Sequence, residues 1–389
     1  MIFLKFNTIG IICEYNPFHF GHKYHIQETI KLYGCENIVC IMSGSMVQRG
    51  ECAILSKWLR AKSAIDAGAD LVIELPAYYV LQSADIFARG AVDILDKLGI
   101  IDAISFGSEC GNINDLIKAA SIMESDEFNS IIKRNLDSGL SYPAASQKAL
   151  TECMPGASED FFKPNNTLGI CYIKALQNLN SDITPLCIKR DNDYHGQASN
   201  DGYMSASEIR RMMRNSENYE MYADLYEAGE LYDLKNAESY ILGVLRNTSR
   251  EKLKTIKGYE DGLGDLILNS AKKACSIDEL FDMCTSKRYT LHRIKRYVMS
   301  ILLDICYDSA PGYIRILGIG KNGGKLINRI KGNSSLDIIT KLADYKKENA
   351  MLKTDINATD FCSLCANSTE LRYSGKDYTT SPYIKKASL

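Results

Sequence analysis

The chain has 389 residues, 46% of them hydrophobic and 24% charged, with 27 Gly and 8 Pro, which excludes a disordered, collagen-like or simple coiled-coil protein. Its length suggests two or three domains at roughly 100–200 residues each. With 46 basic and 48 acidic residues the net charge is −2, so global charge gives no sign of a nucleic-acid binder; a phosphate backbone, however, needs only a local patch.

Residues 1–13 are apolar with one Lys and lack a small-residue cleavage site, so they read as a buried strand and not as a signal peptide. The best apolar run, over 298–303, is far short of the roughly 18 residues that span a membrane. Thirteen cysteines, an odd number without a secretion signal, predict reduced thiols in a cytoplasmic protein. The first half alternates strand and helix signals. Strands are expected over 7–13, 37–42, 70–75 and 101–106, and helices over 22–32, 57–67 and 84–98, with Gly68, Pro76 and Gly99 as stops. Continuous apolar strands separated by helices predict a parallel, doubly wound sheet of Rossmann type. Ligands of such sheets bind outside the carboxyl ends of the strands, so the polar loops over 14–21, 43–51 and 107–114 should lie together.

Residues 113–150 have a helical pattern, and 183–188 read as a fifth strand ending at Lys189 and Arg190. Beyond about Ser216 no strand signal is read. Helices are expected over 222–231, 237–246, 264–274, 291–305 and 335–347. The expectation is therefore an α/β fold: a Rossmann-like domain over 1–216, followed by a mainly helical domain over 217–389.

The sharpest local signal is Glu14-Tyr15-Asn16-Pro17-Phe18-His19-Phe20-Gly21-His22, between the first strand and the first helix. Pro17 restricts the loop and Gly21 permits close approach of backbone to a ligand. The helix N-terminus supplies free N–H groups and partial positive charge. His19 and His22, three apart, can share one face there. That is a phosphate cradle with two imidazoles as extra donors, suited to charge that builds during displacement at phosphorus. A zinc site would need a third ligand of good type, and none is near.

H-x-G-H in this setting resembles the nucleotidylyltransferase superfamily. The strings GIICEYNPFHFGHKYHI, SGSMVQRGECAILSKWLRAKSA, FGSE, KPNNTLGICYIKAL and MSASEIRR, continuing to RYSGKDYTTSPYI, are similar to one family within it, the tRNA(Met) cytidine acetate ligases. The resemblance implies a nucleotidylyltransferase-like catalytic domain in which acetate attacks the α-phosphorus of ATP, with magnesium on the phosphates and no protein-bound metal site. The acetyl group then passes to N4 of the wobble cytidine of elongator tRNA(Met); no protein partner and no membrane are implied. The family's ATP loop maps onto Ile12, Cys13, Glu14, Tyr15, Asn16, Pro17, Phe18, His19, Phe20, Gly21, His22, Lys23, Tyr24 and His25, and its separate ATP positions map onto Gly107, Asn165 and Arg190, with His19 and His22 catalytic. MSASEIRR resembles the superfamily's second phosphate signature, in which Ser205 and Ser207 cap a helix and Arg210 reaches pyrophosphate. An ordinary capped helix is the competing reading. Arg49, beside Gln48 after the second strand, suits either the acetate carboxylate or a tRNA phosphate.

Residues 285–303 contain no acid, while Lys287, Arg288, Arg293, Lys295 and Arg296 are basic, with Tyr289 and Tyr297 nearby. Arg and Tyr suit phosphates and splayed bases, so this segment is the candidate tRNA contact, expected to act away from the ATP cradle. A solvated helix face is its ordinary alternative. Cys362 and Cys365 form a C-x-x-C without a second Cys/His pair and are read as ordinary thiols. The chemistry needs no covalent enzyme nucleophile, because acetate is already ionised. Two other readings remain: an adenylyltransferase for a small phosphate ester, which needs only half of this chain, and a non-enzymatic RNA-binding protein.

Overall fold

In the computed structural model, residues 6–156, 159–190, 204–221, 223, 230–308 and 310–386 are described. Apart from residues 223, 230 and 231, the helix expected over 222–231 lies outside them. The first half runs β1 (Thr8–Cys13), α1 (Phe20–Tyr33), β2 (Asn37–Ser43), β3 (Met46–Val47), β4 (Glu51–Cys52), α2 (Lys57–Asp66), β5 (Leu71–Leu75), α3 (Ala77–Val80), α4 (Ala84–Lys97) and β6 (Ala103–Ser108). Then follow α5 (Ile113–Met123), α6 (Asp126–Asp137), α7 (Tyr142–Cys153), α8 (Pro164–Leu179), β7 (Thr184–Lys189) and α9 (Ala206–Arg214).

Strands β5, β2, β1, β6 and β7 are adjacent in that order and mutually parallel. The order reverses at β1, which makes the crevice between β1 and β6 the topological switch point. These strands read as continuous apolar runs because both faces of the sheet are covered. Along β2, Val39 and Ile41 enter the core shared with α4 and α8, whereas Ile38, Cys40 and Met42 enter the core shared with α1 and α2.

The second half contains α10 (Glu238–Asn247), α11 (Arg250–Thr255), α12 (Leu263–Lys273), α13 (Ile277–Cys284), α14 (Leu291–Leu302), β8 (Tyr313–Ile319), α15 (Gly323–Asn333), β9 (Asp337–Ile339), α16 (Ala350–Leu364), α17 (Lys376–Thr379) and β10 (Tyr383–Ile384). The expectation of no strand beyond Ser216 is corrected. Strand β8 pairs antiparallel with β5, while β9 and β10 pair parallel with β8, so the main sheet crosses the boundary expected near 216. Arg315 interrupts the apolar run of β8; its charge is buried against Asp377 at 2.6 Å and Glu74 at 3.5 Å. The helix expected over 335–347 is likewise corrected to β9 and a short 3-10 turn at Leu342–Asp344. The β-branched Ile338 and Ile339 extend there along β8. The expected helices α10, α12 and α14 form, α11 and α13 join them, and Ile241, Leu245, Ile267, Leu280 and Ile294 enter the same core as β2 and α4.

A buried ion network fastens the late strands to the sheet. Lys57 of α2 meets Glu74 of β5 at 2.7 Å and Asp377 of α17 at 2.8 Å, and all three side chains are essentially inaccessible. Desolvation makes such a network costly to form and costlier to break, because removal of one charge strands its partners. Nearby, Asp355 accepts from Tyr313 and from the Ala77 N–H at 2.7 Å; burial and the Glu74 charge push its carboxyl up to about 7.

Candidate active site

The loop after β1 turns sharply. Tyr15 sits at φ 50°, an uncommon left-handed conformation for a side chain of its size, and the Asn16–Pro17 peptide is cis. Tyr15 and Phe18 are buried in T-shaped contact at 4.9 Å, and the Asn16 side chain accepts from the Ile54 N–H at 2.7 Å. These side chains are committed to the core and the neighbouring chain, which fixes the loop's path. Cys13 reaches the Ile41 carbonyl at 3.6 Å, Lys23 lies over the Phe20 ring at 5.8 Å, and Tyr24 is 42% exposed. Ile12, the last-but-one residue of β1, packs against the larger core.

His19 is the N-cap of α1. Its Nδ1 accepts from the Gly21 N–H at 3.1 Å, while Nδ1 of His22 accepts from the His19 N–H at 3.3 Å, a reciprocal capping box built from two imidazoles. The rings stack with centroids 3.7 Å apart. Since each Nδ1 accepts, the proton of each neutral ring belongs on Nε2, and both rings offer an Nε2–H donor. Burial, with Arg190 and Arg210 close by, drives His19 down to about 3; burial and the His19 charge hold His22 well below its ordinary value. His25, one turn on, is lowered to about 4 by burial and then by Arg190, and its Nε2 meets Ser105 Oγ at 3.1 Å. All three rings are therefore neutral near neutral pH.

The expected positions Gly107, Asn165 and Arg190 meet at the carboxyl ends of β6 and β7 and the N-terminus of α8. Arg190 Nη1 donates to Asn165 Oδ1 at 2.9 Å, and the Arg190 side chain lies across Gly107, where an added Cβ would fall 2.8 Å from Cδ. The glycine is thus the passage for the arginine. Glu109 accepts from Asn165 Nδ2 at 2.7 Å and from the Asn165 and Asn166 N–H groups at 3.1 and 2.8 Å. A carboxylate only accepts and a guanidinium only donates, so the Asn165 amide has one orientation, with one N–H and one lone pair left for a ligand.

The second signature also arrives at this loop. Ser205 caps α9 by accepting from the Glu208 N–H at 3.2 Å. Arg210 donates to the Asn16 carbonyl at 2.6 Å and to Ser207 Oγ at 3.0 Å, and Arg49 reaches the same hydroxyl at 3.4 Å. Arg49 sits in the turn between β3 and β4. Beneath it, Arg60 is fully buried and donates to the carbonyls of Glu14 at 2.6 Å, Ser43 at 3.1 Å and Gly44. Arginines 49, 60, 190 and 210 make the surroundings of the loop strongly favourable to anions.

The basic segment divides. Arg288 and Arg293 share Glu260 and flank the Tyr289 ring at 5.2 and 5.4 Å, and Lys287 is exposed. Lys295 instead pairs with Glu51, and Arg296 Nη1 donates to the Gln48 carbonyl at 3.2 Å. An added Cβ on Gly50 would lie 2.5 Å from the Arg296 nitrogen. The expectation that this segment stands away from the cradle is corrected for Lys295 and Arg296, because α14 rests on the β3–β4 turn. Cys362 and Cys365 lie under that hairpin, Cys362 Sγ at 3.4 Å from Met46 Sδ and Cys365 Sγ at 3.6 Å from Cys52 Sγ. Sequence reasoning left Glu109 and Arg60 out of the site, although both stand inside recognised strings; an acid two residues past a phosphate-side glycine was the signal for Glu109. Among the described residues, no group of three or more His, Cys, Asp or Glu is arranged to hold a metal ion.

The family model described as HIGH nucleotidyl transferase matches residues 6–377. The chain is 37% identical to a tRNA(Met) cytidine acetate ligase of Acetivibrio thermocellus, over 96% of this chain and 98% of that protein. It is also 37% identical to the ligase of the same name from Clostridium perfringens, over 97% and 99%. Among solved structures it resembles Thermotoga maritima TmcAL bound with alpha-thio ATP, with a TM-score of 0.86 and 28% identity over 97% of this chain and 99% of that one. The apo form of TmcAL gives 0.87 at the same identity and coverage.

Proposed function

Since the chain belongs to the tRNA(Met) cytidine acetate ligase family of HIGH nucleotidyl transferases, we propose that it joins acetate to tRNA at the expense of ATP. The enzyme is a ligase working in two steps at the β1–α1 loop. In the first, an acetate oxygen attacks the α-phosphorus of ATP, the acyl–phosphate bond forms, and pyrophosphate leaves with the electron pair of the broken P–O bond. In the second, N4 of the wobble cytidine of elongator tRNA(Met) attacks the acetyl carbon, giving N4-acetylcytidine and AMP.

The observation that carries this reading is the pair of neutral, stacked imidazoles, each with Nδ1 occupied and Nε2–H available, at the N-terminus of α1. Donors fixed before reaction stabilise charge that develops in the transition state without having to reorganise. Arg190 and Arg210 add charge on the side from which they depress His19. Asn165 supplies the donor and acceptor suited to adenine or ribose. Magnesium is assigned to the phosphates of bound ATP; among the described residues no group of three or more His, Cys, Asp or Glu is arranged to hold it. Lys287, Arg288 and Arg293 are assigned to tRNA phosphates around Tyr289, and Lys295 and Arg296 to the seam between that surface and the loop. No helix among the described residues is long and apolar enough to cross a membrane, and with its free thiols the protein is assigned to the cytoplasm. Mass analysis of tRNA nucleosides tests the reading in the cell: deletion of the gene should remove N4-acetylcytidine from elongator tRNA(Met), and its persistence would end the proposal.

A further inference from the structure

One residue of the loop carries a charge of the same sign as the anions that the rest of the loop suits. The Nε2–H groups, the N–H groups at the start of α1 and the four arginines all suit ATP phosphates and acetate, whereas Glu14 repels both. Adenylation joins two anions and releases no proton, since acetate is already ionised. Acyl transfer does release one, because the cytosine amine must lose a hydrogen as it becomes an amide. Resting on the two-step function proposed above, we propose that Glu14 is the general base of that second step, taking the proton that N4 sheds as it bonds to the acetyl carbon.

The geometry separates the two oxygens of Glu14. Oε1 accepts from the Gln48 N–H at 2.6 Å, while among the described residues Oε2 accepts no hydrogen bond. Gln48 also connects Glu14 to the basic helix, because its carbonyl accepts from Arg296 Nη1 at 3.2 Å. Glu14 therefore stands where the ATP loop meets α14, the helix whose basic residues are assigned above to tRNA. The charged and titratable groups facing it are Arg60 of α2, Arg210 of α9, Arg49 of the β3–β4 turn and Tyr172 of α8. Burial raises the carboxyl above its ordinary value, and the Gln48 N–H and the arginines moderate that rise. The carboxylate is then a stronger base than an exposed one.

The step balances. The N4–carbon bond forms, the acyl carbon–oxygen bond to AMP breaks with its electron pair on the AMP oxygen, and the N4 proton passes to Glu14 Oε2 and on to water. A positioned base contributes about 10²–10⁴ in rate. Glu14→Gln is the informative variant, since its amide oxygen can still accept from the Gln48 N–H.

Two assays are compared in the full chain: acetate-dependent ATP–pyrophosphate exchange, and single-turnover transfer to tRNA from supplied acetyl-adenylate. The transfer loss in Glu14→Gln should exceed any exchange loss by at least about 100-fold, at the low end of what a general base contributes. Its transfer should also lose the acid-side pH dependence of the parent. Transfer at the parent rate, or equal losses in both assays, overturns the proposal. A measurement on the parent alone guards against a variant that fails to fold: its transfer rate should decline toward acid with a single ionisation above the ordinary carboxylate range. A flat rate between about pH 5 and pH 8 overturns the proposal as well. A parent that cannot transfer from acetyl-adenylate at all would instead contradict the underlying two-step reading.

Discussion

His19 has two separable jobs, and two substitutions tell them apart. As N-cap it accepts from the Gly21 N–H, and as a neutral ring it presents Nε2–H to the cradle. His19→Ala removes both. Loss of a cap costs about 0.5–2 kcal/mol of stability, and loss of one oriented donor costs about 10²–10³ in rate, or roughly 2.7–4 kcal/mol of transition-state stabilisation. Asn is among the best N-caps, so His19→Asn should keep the helix start and lose only the donor. The expected pattern is parent-like urea unfolding for His19→Asn, a loss of about 1 kcal/mol for His19→Ala, and acetate-dependent exchange lowered by about 10²–10³ in both. A folded His19→Asn protein that exchanges pyrophosphate at the parent rate would refute the role given to this ring.

The buried imidazole of His19 should make the protein lose stability toward acid. The folded value of His19, about 3, lies below its ordinary 6.5, so the unfolded chain binds the proton first. Stability is complete above 6.5 and declines from there toward 3; near pH 5, His19 alone accounts for a loss on the order of 2 kcal/mol, measurable by urea unfolding across that range. Lys57→Met, which leaves Arg315 alone to balance the buried charges of Glu74 and Asp377, should lower stability by about 3–5 kcal/mol in the same measurement; a loss under about 1 kcal/mol would remove the network from the account. At Gly50, φ is 76° and an added Cβ meets the α14 backbone at 2.5 Å, so Gly50→Ala should separate the hairpin from α14. It should lower both melting temperature and tRNA acetylation, read by calorimetry and label incorporation. Arg288→Gln with Arg293→Gln should weaken tRNA binding and flatten its salt dependence by about 0.7–0.9 per lost phosphate contact, with exchange little changed. Arg296→Glu, by contrast, should also slow transfer from supplied acetyl-adenylate, because it disturbs Gln48, the donor to Glu14.

The first half was legible because its signals are local. Short apolar strands, glycine and proline stops and a capped H-x-G-H loop are each determined within about ten residues, and the parallel sheet then gathers the loops at its carboxyl edge. What sequence reasoning missed depends on long-range partners. Strand β8 carries Arg315, whose burial makes sense only once Glu74 and Asp377 are known to face it. The spacing over 335–347 mimics a helix, yet the Ile338–Ile339 pair finds its place along β8. Glu109 stood unassigned within a recognised string, and Glu14 was placed only as a member of the ATP loop. Their roles required the Asn165 amide and the Gln48 N–H to be placed beside them. The basic stretch looked uniform because the acids that pair with it, Glu260 and Glu51, lie elsewhere in the chain.

The central claim is that one polypeptide activates acetate at the β1–α1 loop and delivers it to a tRNA cytidine. The most direct measurement incubates the purified chain with ATP, isotopically labelled acetate and elongator tRNA(Met), then digests the tRNA and identifies the labelled nucleoside. The account predicts label in N4-acetylcytidine at the wobble position, dependent on ATP and lost in His19→Asn. Label in any other nucleoside, or no ATP-dependent label in the presence of active, folded protein, would contradict it.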